Sequence, residues 1–346
     1  MATSPSSQPS RTNSRRVSNF TLTVLGTASA MPVPGKYPSA HVLNVRGRSF
    51  LIDCGEGVQS QLIRCGFSPM KVDTIFISHI HGDHVFGIFG LLSTMGMLGR
   101  TAALDIYAPT SFGPILKFFL SYYGDGLAFE VRHRPVKCSA PEVVYETKSV
   151  SVTAIPLNHK IETYGWMFRE KESLPSIDKD AVEKYSFTLS EIGRLKAGED
   201  ILRPSGPDEG ATFLNGYERH SGTDEPLLIK ASEVTHRAFV PRSYAYISDT
   251  APVEGLERTV QGVDLLYHEA TYLDELSDQA ALRHHSTALQ AARLALAAGA
   301  GKLLVGHYSS RCKDIARYEA EAKTVFPESY ALKEGDVFDI PLQKCK

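Results

Sequence analysis

No run of about 18 apolar residues occurs in the 346-residue chain, so no helix is expected to span a membrane. Neither sign of charge is in excess. The 37 Lys plus Arg stand against 39 Asp plus Glu, a net charge of -2, so no global positive field advertises nucleic-acid binding. Any RNA or DNA site must then be a local patch. Cysteine is scarce: Cys54, Cys65, Cys138, Cys312 and Cys345 are an odd number without a C-x-x-C pair, which argues against a disulfide framework. That usage fits a reducing compartment, and a cytoplasmic location is expected. The first 19 residues are rich in Ser, Pro and Arg and lack the apolar segment of a secretory signal, so a disordered tail is expected at 1–19. Its Arg/Ser-rich, acid-poor composition is shared with organellar transit peptides.

With 42% hydrophobic residues the chain can bury one large core or two smaller ones. Its chemistry concentrates in Thr74 to His84, T-I-F-I-S-H-I-H-G-D-H. Ile75, Phe76 and Ile77 read as a buried strand ending in a tight loop at Gly82. Alternation puts His79 and His81 on one side of that extended segment, and a turn at Gly82 swings Asp83 and His84 toward a second point. A lone His beside a strand is usually a hydrogen-bonded core or surface residue. Three His and an Asp in H-x-H-x-D-H spacing are different, because burying four such groups without a metal leaves polar atoms unpaired. One zinc ion takes about three or four ligands, and these four groups are aimed at two points, so the cluster alone is too few for two sites and the rest must come from elsewhere.

Strand, loop and helix alternate along most of the chain. Strands are predicted at Phe20–Leu25, Ser49–Asp53, Leu104–Ala108, twice within Val143–Leu157, and at Ser243–Ile247, Val263–Tyr267, Lys302–Val305 and Val337–Ile340. Helices are predicted at Val58–Arg64, Phe86–Leu98, Pro109–Tyr122, Ala288–Ala298 and Asp314–Thr324. The segment 169–241 changes texture: charged residues, Pro and Gly without apolar periodicity suggest an exposed arm or loop-rich insertion into a domain spanning 20–346. The candidate ligands recur just after apolar strands, where strand ends of a sheet protein converge on one rim. The inventory is His79, His81, Asp83, His84, His159, Asp249 and His307.

H-I-H-G-D-H with the upstream L-I-D-C-G-E-G resembles the metallo-β-lactamase superfamily. V-L-G-T-A-S-A-M-P, L-N-H-K-I-E-T-Y-G, H-E-A-T-Y, H-S-T-A-L-Q-A-A and G-H-Y-S-S-R resemble, more narrowly, the ribonuclease Z family of tRNA 3′-processing endonucleases. The resemblance implies an α+β, four-layer αβ/βα sandwich, metallo-β-lactamase-like, with two mixed sheets flanked by helices. It implies two Zn2+ per chain, with Mn2+ or Fe2+ compatible with the same donors, precursor tRNA as substrate and a homodimer. His79, His81 and His159 would hold one ion, Asp83, His84 and His307 the other, with Asp249 bridging. Water activated by the metals would give a proton to Asp83 and attack the phosphodiester as hydroxide, leaving a tRNA 3′-hydroxyl. Glu269 would orient His285 so that it protonates the leaving oxygen. His268 is a supporting group and His284 is read as structural. Ser309, Ser310 and Arg311 follow the last ligand closely and are candidates to hold phosphate.

One departure stands out. The family often carries an arm with a Gly-Pro-containing tip between the third and fourth ligand motifs, and residues 171–200 lack that pair and have little net charge. The alternative reading is a phosphodiesterase of the same fold acting on small or cyclic nucleotide esters. A degenerate member that only binds RNA or zinc would be expected to have lost a ligand or the acid, and none is missing.

Overall fold

A computed structural model describes residues 20–204, 226–311 and 314–345. The predicted tail at 1–19 and Cys312 lie outside the described residues. The described chain divides into two compact units, one taking residues up to Tyr145, Val152–Phe168 and Ser243–Pro341, the other Glu146–Ser151, Arg169–Arg242 and Leu342 onward.

The first unit is organised by two sheets, each seven-stranded among the described residues. One runs, edge to edge, Val337–Asp339, Phe20–Gly26, Ala40–Val45, Arg48–Ile52, Val72–Phe76, Leu104–Pro109 and Val131–Val136. Its first three junctions are antiparallel and its last three parallel. The other runs Ser329–Ala331, Lys302–Gly306, Leu265–Glu269, Ser243–Ile247, Tyr164–Glu170, Val150–Pro156 and Glu142–Glu146, its first three junctions parallel. Aromatic rings fill the space between the sheets. Phe76 meets Trp166 at 5.2 Å, Phe50 meets Phe168 at 5.5 Å, and His41 meets Tyr267 at 4.6 Å. Such edge and tilted contacts add to the large area these side chains bury.

Helices cover the outer faces. Val58–Arg64, Gly87–Met97 and Phe112–Tyr123 bury Leu62, Leu91, Leu92 and Leu116 against the first sheet. Ala288–Ala298 and Ala316–Lys323 pack on the second through Ala291, Ala295, Tyr318 and Ala322. A stripe of alanines lets the first of these lie close to the strands, and the Thr287 side chain starts it by accepting from the Gln290 N–H while Gln290 returns the bond. The result is helix, sheet, sheet, helix, the fold the motifs imply.

Several element boundaries differ from the sequence reading. The helix predicted from Pro109 begins at Phe112, because Pro109 still pairs with Val136 in the sheet. The strand predicted at Val263–Tyr267 runs from Leu265 to Glu269, so His268 and Glu269 lie on it rather than after it. Its register is set by parallel pairing of Ile247 with His268. The segment 169–241 is not loop-rich throughout. Helices Lys179–Tyr185 and Leu189–Lys196 and two short two-stranded sheets surround a small core of Phe187, Leu195, Ile201, Ile229, Ala231 and Val234. Within it Arg203 binds Glu191 at 2.7 and 2.9 Å, and Arg242 binds Glu170 at 2.9 Å through each of two nitrogens. Bidentate pairs of this kind fix side-chain geometry as well as charge.

Candidate active site

The chemical groups sit where parallel strands of both sheets end. Asp53 follows Arg48–Ile52, His79 and His81 follow Val72–Phe76, Asp249 follows Ser243–Ile247, and His307 follows Lys302–Gly306. The turn expected at Gly82 is instead one helical turn, Gly82–Val85, entered from an extended His81. This is a correction of local structure, and its physical reason is a close backbone contact. The Cys54 N–H donates to the His84 carbonyl and the Gly87 N–H to the Cys54 carbonyl, both at 2.8 Å. A Cβ at position 87 would lie 1.9 Å from the Gly55 carbonyl oxygen, so glycine alone permits the approach.

All seven sequence-derived ligands meet at this rim. In the first cluster His81 Nδ1 lies 3.0 Å from His79 Nε2 and 3.3 Å from His159 Nε2. Asp249 Oδ2 closes it at 3.7 Å from His79 Nε2 and 4.0 Å from His159 Nε2. In the second, His307 Nε2 lies 3.2 Å from Asp83 Oδ2 and 3.3 Å from His84 Nε2. Asp249 Oδ1 faces this pair of imidazoles at 3.5 Å from His84 and 3.3 Å from His307. Ligand atoms in a tetrahedron about 2.0–2.1 Å from a zinc ion sit roughly 3.3 Å apart, and the separations here run from 3.0 to 4.0 Å, the longest being those from Asp249 Oδ2 to the first cluster.

Three observations test whether a cation fits. Asp249 Oδ1 is buried with no hydrogen-bond partner, an expensive orphan unless an ion meets it. Asp53, Asp83 and Asp249 lie within a few ångströms of one another's partners, and among the described residues no Lys or Arg pairs with any of them. Burial pushes the His79, His81 and His159 imidazoles below their ordinary range, so they are neutral and carry lone pairs. Burial pushes the Asp83 carboxyl up, but the facing His84 and His307 outweigh it and hold it at about 2. The donor set suits divalent cations.

Behind the clusters, the rings of His84, His307 and His159 are fixed through their other nitrogen, as metal-binding imidazoles usually are. His84 Nδ1 meets Asp53 Oδ2 at 2.7 Å, His307 Nδ1 meets Thr271 Oγ1 at 2.8 Å, and His159 Nδ1 donates to the His284 carbonyl at 2.8 Å. Asp53 also accepts from the Ser78 N–H at 2.7 Å, the Ser78 hydroxyl at 2.9 Å and the Tyr246 hydroxyl at 2.6 Å. Asp53 and His307 hold φ of 55° and 63°, left-handed conformations that cost a non-glycine residue about 1–2 kcal/mol. His284 has no ring role at the clusters, and its backbone carbonyl is what counts. Sequence reasoning assigned no role to Asp53 or Thr271, although L-I-D-C-G-E-G and H-E-A-T contain them.

Glu269 and His285 form the pair expected of them. His285 Nδ1 lies 2.9 Å from Glu269 Oε1. The carboxylate is fully buried and held by the N–H groups of Ser286, Thr250 and Thr271 at 2.9, 3.1 and 2.8 Å. Burial pushes the His285 imidazole down, but Glu269, by charge and hydrogen bond, and Asp249 beyond it raise the ring to about 9. His268 points elsewhere, its Nδ1 bonded to the Glu269 carbonyl.

A cavity of about 620 Å³ opens onto both clusters. Ser309, Ser310 and Arg311 line it as anticipated, and Lys160 and Arg283, which sequence reasoning did not single out, line it too. Arg311 spends one contact on Gln279, at 3.2 Å, and is otherwise exposed. A local basic rim thus exists despite the balanced net charge.

The family model described as Anti-Pycsar protein Apyc1 matches residues 20–183. The chain is 38% identical over 316 residues to a protein of Bacteroides fragilis named Ribonuclease Z, covering 91% of this chain and 97% of that one. It is 37% identical over 321 residues to another of that name from Porphyromonas gingivalis, covering 93% and 99%. The crystal structure of the short form of human tRNase Z superposes with a TM-score of 0.63 at 23% identity, covering 93% of this chain and 99% of that one, a likeness of fold. Bacillus subtilis YhfI, a metallo-β-lactamase fold protein, gives 0.60 at 20% identity, covering 92% and 98%. The chain belongs to the ribonuclease Z family, a family of ribonucleases and so of phosphodiester hydrolases.

Proposed function

We propose that the chain is a two-metal endoribonuclease that removes the 3′ trailer from precursor tRNA, leaving a 3′-hydroxyl on the tRNA. The observation that carries this reading is Asp249, whose Oδ2 faces the first cluster and whose orphaned Oδ1 faces the second. His79, His81 and His159 would hold one cation, Asp83, His84 and His307 the other, and Asp249 both. Zinc suits the donors, and manganese or iron(II) suits them as well. When bound, such cations bring the pKa of water toward about 7 and neutralise charge on a phosphoryl group.

The remaining roles fall to the chain's own atoms. Asp83 Oδ2 is engaged by His307, and Oδ1, without a hydrogen bond among the described residues, is assigned to accept the proton of the attacking water. His285 donates Nδ1–H to Glu269 and presents Nε2 to the cavity, from which a proton passes to the leaving 3′-oxygen. Ser309 and Arg311 hold a phosphate of the substrate. The catalytic domain of this proposal holds both clusters, and 169–241 is an insertion within it. A homodimer and a cytoplasmic location, where free thiols stay reduced, complete the reading, and light scattering of the purified protein tests the first.

The test is incubation of metal-loaded protein with a 3′-extended precursor tRNA and mapping of the cut to the nucleotide. A single cut beside the discriminator, lost in Asp83→Ala, is expected. No cut, together with turnover of a small chromogenic phosphodiester, would replace the tRNA substrate with a small ester.

A further inference from the structure

His268 and Glu269 are neighbours on one strand, so their side chains leave on opposite faces. Glu269 turns to His285. His268 turns outward, beneath the helix Ala288–Ala298, and lines a hollow of about 390 Å³. That volume lies within the usual range of small-molecule sites, about 300–1,000 Å³. Val253, Leu256 and Leu294 supply apolar wall.

Five polar side chains line the hollow, Glu257, His268, Ser286, Gln290 and Arg293, and two of them, His268 and Arg293, point to a ligand of definite chemistry. His268 is only 3% exposed. Its Nδ1 lies 2.6 Å from the Glu269 carbonyl, to which it must donate, and burial pushes the ring below its ordinary range. The ring is therefore neutral, and Nε2 is an acceptor with no hydrogen-bond partner among the described residues. Arg293 lines the same hollow and has no ion pair or hydrogen bond among the described residues. The other charged lining residue, Glu257, has Arg258 at 3.9 Å. A buried acceptor, an apolar wall and an exposed, unpaired guanidinium suit a small molecule with a donor at one end and a carboxylate at the other.

We propose that this hollow is a binding site for a small carboxylate that carries an N–H or O–H donor, and that its occupancy is felt at the Glu269–His285 pair. The second half rests on the tRNA-processing reading above. The connection is short. Ser286 lines the hollow, its N–H donates to Glu269 Oε1 at 2.9 Å, and its hydroxyl donates to the Thr250 carbonyl at 2.7 Å. Thr250 in turn donates its N–H to the same carboxylate oxygen at 3.1 Å. A molecule seated against His268 and Ser286 therefore bears on two of the donors that fix Glu269.

The probe is indole-3-acetate, titrated calorimetrically into the metal-loaded full chain, with 1-methylindole-3-acetate as the version lacking the donor. Saturable binding is expected, weakened about tenfold by Arg293→Gln and similarly by N-methylation, each removing one charge-assisted or buried hydrogen bond. Ala297→Trp, at an exposed position on the hollow's wall, should abolish binding while leaving cleavage in the absence of probe unchanged. Absence of saturable binding would overturn the site, and so would binding indifferent to both substitutions, which would place the carboxylate on the metals instead. With precursor tRNA as substrate, saturating probe should change kcat about fivefold or more at constant KM in the unsubstituted protein and not in Ala297→Trp. An unchanged kcat would overturn the coupling while leaving the site, and a protein that binds probe but cuts no tRNA would fail the functional reading alone.

Discussion

Replacing Glu269 with Gln removes one charge from the acid pair with almost no change of shape. The structure fixes the sign of the result. A general acid must be protonated to act, and His285 is raised from its ordinary 6.5 to about 9 against the opposing effect of burial. That difference corresponds to about 3 kcal/mol in favour of the imidazolium, most of it from Glu269 at 2.9 Å, because Asp249 stands farther off at 3.9 Å. The amide oxygen introduced by Glu269→Gln can still accept from His285 Nδ1–H, while its amide nitrogen meets the Thr271 N–H, which costs some rate at every pH without moving the limb. Without the carboxylate the His285 pKa should fall by about two pH units. The alkaline limb of kcat for precursor cleavage should move down by that amount. Loss of rate should then be modest near pH 6, grow about tenfold per pH unit between the new pKa and the original one, and level off above it. Bound cations lower His285 in both proteins, so the comparison rests on the difference between them. The assay is single-turnover cleavage from pH 5.5 to 9.5. A uniform loss at every pH, with the alkaline limb unmoved, would refute the reasoning and leave Glu269 only a scaffold for Ser286, Thr250 and Thr271.

Other outcomes follow from the same geometry. His285→Ala should lose about 10²–10⁴ in kcat while metal content, read by elemental analysis, stays unchanged; a parallel fall in metal would make His285 a ligand. Asp53→Asn leaves His84 Nδ1 and the Tyr246 hydroxyl facing a neutral amide, and should weaken metal affinity about 10–100-fold in chelator competition, with the ligands themselves intact. Arg311→Gln should raise KM for precursor tRNA and reduce the slope of log affinity against log salt by about 0.7–0.9; an unchanged slope would place that guanidinium off the phosphate path.

The candidate ligands that the structure brings together were legible in the sequence because their signal is local or repeats one arrangement. H-x-H-x-D-H is contained in six residues, and Asp249 and His307 each follow a strongly apolar strand. The groups that hold them were not legible, because they act across the fold. Asp53 reaches His84 over 31 positions, Thr271 reaches His307 over 36, and the His284 carbonyl reaches His159 over 125. Strands Ala40–Val45 and Val131–Val136 escaped notice for a different reason: His41 is polar yet buried at 1% exposure, and V-R-H-R-P-V has polar residues throughout a sheet edge. In 169–241 the core residues are too thinly spread for any window to show a period, Phe187 and Ile229 lying in one cluster. The Gly-Pro pair missing from 171–200 stands at Gly206-Pro207, among residues outside those described.

The central claim is one centre of two cations joined by Asp249, and the most direct test is metal counting by elemental analysis on the protein and on Asp249→Ala after dialysis against chelator and reloading. The account predicts two equivalents per chain, cleavage activity that appears only as the second is bound, and loss of at least one equivalent in the variant. One equivalent with full activity, or two retained in Asp249→Ala, would contradict it.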